Sequence, residues 1–244
     1  EEGKGISYLA EKAIEDLKRK KDFDPLSIEV VILGTTTPDY LMPNSAASIA
    51  TKAGMDNAFG IDVNGACSGF LYAMEVGNSF IASGRYKKVL VISGDVLSTM
   101  TDYTDRNTCP IFGDGCGCVL LEPTTEDVGF MDSIIRSKGD LTGYLRTPAG
   151  GSVMPATREF AEKRFYAIQQ DGRVVFKHAV SNMADTCDEL IKKNGLSHND
   201  IDWVVPHQAN LRIIDAVASR MGVPIEKVMI NIQKYGNCSA GTIP

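Results

Sequence analysis

The stretch Phe59-Gly-Ile-Asp-Val-Asn-Gly-Ala-Cys-Ser-Gly-Phe70 decides the fold. Ile61 and Val63 mark a short apolar strand that ends in a turn of small residues, and a helical run follows from Ser68 to Ala82. Strand, tight turn and helix in that order form the building unit of α/β folds. Cys67 stands at the corner. A thiol there faces unsatisfied backbone N–H groups and the positive end of the helix dipole. Both favour thiolate over thiol, so the sequence predicts a lowered thiol pKa and a nucleophilic sulfur. Gly65, Ala66 and Gly69 leave room for a substrate carbonyl. The plain alternative is a buried structural cysteine, because free cysteine is among the most buried residue types.

A second copy of this layout lies about 170 residues further on. The first copy runs as a helix over Gly5–Lys20, a strand over Ile28–Thr35, a small-residue helix over Asn44–Ala53, and the strand into Cys67. The second runs as a helix over Val180–Lys193, a strand over Ile201–His207, a helix over Ala209–Met221, a strand over Val228–Ile232, and the turn Gly236-Asn-Cys-Ser-Ala-Gly241. Asn237–Cys238 thus takes the place of Ala66–Cys67. A repeat of this length predicts two α/β halves, 1–123 and 124–244, related by a pseudo-twofold axis. The polar connector Glu122-Pro-Thr-Thr-Glu-Asp127 forms the seam. Ligands of α/β folds sit at the carboxyl ends of strands. Cys67, His207 and Asn237 all lie at such ends and are expected to converge on one pocket. Taken singly, His207 also fits a core histidine with a satisfied hydrogen bond, and Asn237 fits ordinary turn chemistry.

Several motifs now occur together: Ala66-Cys-Ser-Gly-Phe70, Thr104-Asp-Arg106, Phe112-Gly-Asp-Gly115, Val175-Phe-Lys177, Val205-Pro-His-Gln-Ala-Asn-Leu-Arg-Ile-Ile214 and Tyr235-Gly-Asn-Cys-Ser-Ala240. In this order they resemble the ketoacyl-acyl-carrier-protein synthase III family of the thiolase superfamily, over nearly the whole chain. The resemblance implies a thiolase-like fold with layers α-β-α-β-α. It implies an acyltransferase that condenses an acyl-CoA primer, with acetyl-CoA first in line, with malonyl-acyl-carrier protein. The products are 3-oxoacyl-carrier protein, CO2 and coenzyme A, at the start of fatty-acid synthesis. Cys67 then holds the first acyl group, and His207 and Asn237 donate hydrogen bonds to the malonyl thioester. Coenzyme A enters as a thioester substrate and no cofactor is implied.

Further roles follow from the same resemblance. Arg106 is similar to an arginine that stacks on adenine, and Asn210 to a residue lining the pantetheine tunnel. Arg212 corresponds to a phosphate contact, and Lys177, Arg212 and Arg220 form a candidate patch for docking the carrier protein. Met42, in Thr35-Thr-Thr-Pro-Asp-Tyr-Leu-Met-Pro43, stands where many members carry a phenylalanine that reaches the partner's acyl pocket in a homodimer. Methionine adapts its shape, so acyl preference does not carry over. Both ends look cut relative to the family, which has a strand-rich start and a closing segment with a glycine-rich loop. Asparagine at position 237, where elongating synthases and thiolases carry histidine, favours the initiating enzymes or chalcone-synthase-like enzymes. Two other readings stay open: a related condensing enzyme of secondary metabolism, and a non-catalytic partner subunit, against which the retained Cys67 argues.

Composition agrees with an acidic globular protein. The chain has 244 residues, 43% of them hydrophobic, and a net charge of −6 from 25 basic and 31 acidic residues. That balance speaks against general nucleic-acid binding, while a local basic patch still suits an acidic partner. No apolar run reaches the length of a membrane span. The opening Glu1-Glu-Gly-Lys4 has no secretory pattern and already suits a helix. The cysteines at 67, 109, 116, 118, 187 and 238 show no CxxC spacing, so neither a disulfide framework nor a metal site is expected, and a reducing cytoplasm is. Asp114 has a structural role between two glycines. His178 and His198 look incidental, one within a helix and one in a helix-start loop.

Overall fold

Val30–Gly34 (β1) is apolar along its length and buried at every position, as befits a strand covered on both faces. The computed structural model describes residues 3–139 and 143–244; Glu1 and Glu2 of the opening stretch lie outside the described residues. β1 runs parallel to β2 (Phe59–Val63) on one side and to β3 (Val89–Val96) on the other. β4 (Asp114–Leu121) closes the sheet antiparallel to β3, giving the order β2-β1-β3-β4.

Side-chain alternation assigns the two faces. Val31, Leu33, Leu90 and Ile92 point one way, onto Ile6, Ala10 and Ile14 of α1 (Ile6–Lys20) and Ile49 of α2 (Ser45–Lys52). Val30, Ile32, Val89 and Val91 point the other way, onto Phe70 and Ala73 of α3 (Gly69–Ala82). The result is a three-layered α/β/α unit. Truncating one of these aliphatic side chains, Leu33→Ala for example, is worth roughly 2–5 kcal/mol. Asp62 locks α2 to the sheet: its carboxylate accepts the Ser45 and Ala46 backbone N–H groups at 2.7 and 2.8 Å. These are two of the donors that a helix start leaves unpaired.

This first compact unit comprises Glu1–Val96, Asp114–Ser133 and Cys238–Pro244. The closing segment coils into a short turn, Ser239–Thr242, against β3, β4 and α3. Gly115 makes that approach possible, since a Cβ there would lie 2.7 Å from the Cys238 sulfur.

The second unit comprises Leu97–Gly113 and Ile134–Asn237. It holds a two-stranded antiparallel pair, β5 (Leu145–Arg146) and β6 (Gln169–Gln170), with α4 (Arg158–Glu162) between them in sequence. Its core lies between α5 (Gly172–Lys193) and α6 (Leu211–Met221), where Ala184 and Ile191 meet Ile213, Ile214, Val217 and Met221. A short α7 (Ile232–Tyr235) leads to the last turn. Asp171 caps the N-terminus of α5, and α6 stops at Gly222 in the left-handed conformation.

The order of elements in the repeat is present, but the second copy has no strand ladder. Segments 201–207 and 228–232 touch through a single parallel bridge, Val204 to Val228, and Ile232 already opens α7. The reason lies just beyond it. Pro206 has no N–H to donate, and the Gln208 side chain takes the carbonyls of Pro206 and Met229 and the N–H groups of Asn231 and Ile232. The groups that would extend a ladder are already used. The compact units also interleave along the chain, whereas the repeat divides it at 123/124.

Candidate active site

Cys67 sits on the short turn Ala66–Ser68 between β2 and α3. Ala66 adopts φ +46°, the left-handed region, so the chain turns sharply just before the sulfur. For a residue with a Cβ that conformation costs on the order of 1–2 kcal/mol, so the rest of the unit holds the corner in place. The thiol is half-buried. Its pKa departs from the helix-start expectation: burial pushes it up to about 11, and the nearby Asp95 charge adds to the rise. A hydrogen bond with the Ser239 side chain pulls the other way. Desolvation and a buried carboxylate outweigh the helix dipole here, and Cys67 rests as a thiol.

Asp95 was not among the residues that the sequence singled out. It follows Ser93 and Gly94 near the end of β3 and is fully buried. Its Oδ1 accepts the Thr35 and Thr36 hydroxyls, both at 2.9 Å, and the Thr36 and Thr37 backbone N–H groups at 2.6 and 3.1 Å. Its Oδ2 faces the Ala240 N–H at 3.4 Å. One carboxylate thus holds both the end of β1 and the turn that carries Ser239.

His207 lies in the second unit, between buried Pro206 and buried Gln208. Gln208 donates to the Pro206 carbonyl at 2.9 Å and to the Met229 carbonyl at 3.0 Å, and accepts from Asn231 at 3.0 Å and Ile232 at 3.2 Å. All four contacts use one side chain, which staples the His207 loop to the chain leading into α7. Burial lowers the His207 pKa to about 4, so the imidazole is neutral at ordinary pH. A neutral imidazole has one N–H to donate and carries no buried charge.

Asn237 is buried and its backbone is held on both sides. Its N–H donates to the Ile111 carbonyl at 2.9 Å, and its carbonyl accepts from Gly113 at 3.0 Å. Gly236 makes the turn before it at φ +67° and ψ −162°, and a Cβ at that position would come 3.0 Å from the Ile111 carbonyl oxygen. Only glycine suits both demands. The backbone is therefore fixed at the end of the motif Tyr235-Gly-Asn237. Cys67 belongs to the first unit, and His207 and Asn237 to the second.

The remaining candidates are spread over the surface. Arg106 is exposed on the loop Thr101–Ile111, which Asp102 and Asp105 shape by accepting from Thr104, Asn107 and Thr108. Asn210 caps α6, its Oδ1 accepting the Arg212 N–H at 2.9 Å. Arg212 is exposed in the first turn of that helix, and Lys177 is exposed near the start of α5. Arg220 pairs with Asp185 of α5 at 2.6 Å, so its charge is partly spent within the fold. Met42 is 81% exposed, beside Leu41 and Tyr40. His178 lies on α5 and stacks on Tyr144, and His198 starts a capped turn and meets Asp188 at 3.2 Å. Cys116 and Cys118 pack into the core beneath α1, where burial raises both thiols. Among the described residues no group of three or more His, Cys, Asp or Glu side chains is placed to hold a metal ion, and no helix is long and apolar enough to cross a membrane.

Comparison with known proteins agrees with this layout. The family model for 3-oxoacyl-[acyl-carrier-protein] synthase III matches residues 61–139, and the model for its C-terminal part matches residues 191–244. The chain is 61% identical over 244 residues to a beta-ketoacyl-[acyl-carrier-protein] synthase III of Azobacteroides pseudotrichonymphae, spanning 100% of this chain and 73% of that protein. It is 54% identical to one from Porphyromonas gingivalis, with the same coverage. The crystal structure of 3-oxoacyl-[acyl-carrier-protein] synthase III from Aquifex aeolicus superposes with a TM-score of 0.89 at 35% identity, covering 100% of this chain and 74% of that one. The fold is the thiolase-like α/β fold. With its cysteine corner, its His-Gln-Ala-Asn loop and its Gly-Asn turn, the chain belongs to the beta-ketoacyl-[acyl-carrier-protein] synthase III family of condensing acyltransferases.

Proposed function

We propose that the chain carries out the initiating condensation of fatty-acid synthesis, with an acyl-CoA, acetyl-CoA first among them, as primer and malonyl-acyl-carrier protein as acceptor. In the first half-reaction the Cys67 sulfur attacks the primer carbonyl. The bond to coenzyme A breaks, coenzyme A leaves as the thiol, and Cys67 holds the acyl group as a thioester. In the second, the malonyl thioester loses CO2. The electron pair left on carbon forms an enolate, whose oxygen accepts hydrogen bonds from the His207 N–H and the Asn237 carboxamide. That carbon attacks the Cys67 thioester, the carbon–sulfur bond breaks with its electron pair on sulfur, and the 3-oxoacyl-carrier protein forms while the Cys67 thiolate takes one proton from solvent to restore the thiol.

The observation that carries this reading is the placement of Cys67 at a strained strand-to-helix corner in a member of this family. The low pKa of His207 supports its role as a neutral donor rather than a charge-carrying base. Arg106, Asn210 and Arg212 are assigned to the coenzyme A moiety, and Lys177 and Arg212 to the carrier protein, with Arg220 the weaker candidate because of its Asp185 partner. The loop Pro38–Pro43 is assigned to a homodimer contact, with Met42 at the partner's acyl pocket. The reaction needs no cofactor beyond its thioester substrates and takes place in the cytoplasm.

The test is Cys67→Ala with radiolabelled acetyl-CoA, followed by comparison of malonyl-carrier protein with malonyl-CoA as acceptor. Loss of label together with a preference for the carrier protein supports the assignment. Stoichiometric labelling of the Ala variant rejects it, and a preference for malonyl-CoA redirects the acceptor.

A further inference from the structure

A fully buried carboxylate demands an explanation, because an uncompensated one is far more costly than an apolar residue of the same size. Asp95 is 0% exposed and faces no lysine or arginine within ion-pair distance among the described residues. Its compensation comes from the Thr35-Thr-Thr37 run and, more distantly, Ala240. Those donors belong to two segments far apart in sequence. The first is the end of β1, where the chain leaves the sheet toward the Pro38–Pro43 loop. Thr37 also ties back to β3, its hydroxyl accepting the Val96 N–H at 2.8 Å. The second is the turn of the closing segment, where Ser239 takes a left-handed φ of +50° and hydrogen-bonds the Cys67 thiol. Next to Ser239, the Ala240 side chain approaches the first residue of α3: a Cβ on Gly69 would lie 3.1 Å from it.

A single chain of contacts therefore runs from Thr36 through Asp95 to Ala240, Ser239 and the Cys67 sulfur. Every member lies in the first compact unit. The strain at Ser239, beside the sulfur, needs a fixed point, and the Asp95 carboxylate is the buried group that the Ser239–Ala240 turn shares with the Thr35–Thr37 run.

We propose that Asp95 is a positioning residue for the acyl-accepting thiol, acting through the Ser239–Ala240 turn to set the direction of the Cys67 sulfur and tying that turn to the end of β1 through the Thr35–Thr37 run. The proposal rests on the reading of Cys67 as the acylated group. Asp95 touches neither substrate nor reacting atom. Its charge also faces Cys116 on the neighbouring strand and Cys238, on which Asp114 acts as well, so the variants below are read at the Cys67 peptide alone.

The test uses the full chain with Asp95→Asn and Ser239→Ala, and two readouts. One is the rate of iodoacetamide alkylation at Cys67 against pH, followed by mass spectrometry. The other is kcat and KM for transfer of acetyl from acetyl-CoA to the enzyme. Asn keeps the size of the side chain but loses the charge. In Asp95→Asn the alkylation midpoint shifts to lower pH, and acylation kcat falls by about a hundredfold with KM little changed, the loss that misplacing a nucleophile by about an ångström brings. In Ser239→Ala the midpoint shifts the opposite way, to higher pH, again with a lower kcat. General loosening moves both midpoints downward, by admitting water, so shifts of the same sign overturn the proposal. Parent-like kcat in Asp95→Asn overturns it too. If Asp95→Asn does not fold, Thr36→Val and Ser239→Ala decide: parent-like acylation in both overturns the proposal, and reduced kcat at constant KM in both sustains it. Failure of the parent enzyme to take acetyl on Cys67 refutes the catalytic reading instead, and the alkylation profiles still report separately on Asp95.

Discussion

The Gln208 side-chain oxygen accepts the Asn231 backbone N–H at 3.0 Å. It accepts Ile232 as well, while the amide nitrogen of the same side chain donates to two carbonyls. A glutamine next to the candidate histidine thus performs the task that a β-ladder performs elsewhere.

Gln208→Leu is expected to leave these buried partners unsatisfied, at about 1–3 kcal/mol for each group that water does not reach. The urea midpoint should fall, and CO2 release from malonyl-carrier protein should fall with it because the His207 loop loses its anchor. Acylation of Cys67 should be much less affected in the fraction that stays folded. Denaturation curves and the two half-reactions, measured on one preparation, check all three outcomes.

His207 sets a pH dependence whose sign is fixed by burial. Its folded pKa of about 4 lies below the ordinary 6.5, so the imidazole stays neutral across the neutral range and decarboxylation should not decline between about pH 8 and about pH 6 from its protonation. Stability behaves differently. As pH falls below 6.5 the unfolded chain takes up a proton that the folded chain refuses, and stability is lost progressively down to about 4. The fall in urea midpoint on acidification should be smaller in His207→Gln, and an identical fall in both proteins counts against the buried neutral imidazole.

Arg212 is a cation in the first turn of α6, exposed and without help from the helix dipole. An anionic partner suits that position. Arg212→Glu should raise KM for malonyl-carrier protein roughly tenfold and flatten its dependence on ionic strength, because rim charges act mainly on association. A small malonyl-pantetheine without phosphate should react at nearly the parent rate. Equal losses on both substrates place Arg212 in the support of the His207 loop rather than in docking.

Tyr40, Leu41 and Met42 are 69%, 91% and 81% exposed in the isolated chain. Three consecutive large side chains in water are costly, and a second copy of the chain is the proposed cover. Leu41→Asp should shift the sedimentation coefficient toward the monomer, and the parent should sediment as a dimer at the same concentration. A monomeric, fully active parent rules this out.

Much of the fold was legible from local signals. The strand around β1 and the helices expected over 5–20, 44–53 and 209–221 are written in short windows of sequence. The corner at Cys67 was legible for the same reason. Its electrostatics were not: the helix start is local, but burial and the charge of Asp95, which arrives from another strand, reverse the sign of the pKa shift against the opposing pull of Ser239. The strands expected at 201–207 and 228–232 misled because their composition suits a ladder. Whether one forms depends on where a single glutamine side chain places its four hydrogen bonds.

The closing segment Cys238–Pro244 lies inside the first unit, against strands that are complete by residue 121. On the ribosome, which emits the chain from its N-terminus, the sheet β2-β1-β3-β4 must therefore wait with an open seam while more than a hundred further residues are synthesised. Until Ser239 and Ala240 emerge, the thiol of Cys67 has no Ser239 beside it and the left-handed corner at Ala66 has no brace. The proposed nucleophile is finished only after the second unit has been made, so a nascent chain halted before residue 238 should hold a folded sheet and an unfinished cysteine.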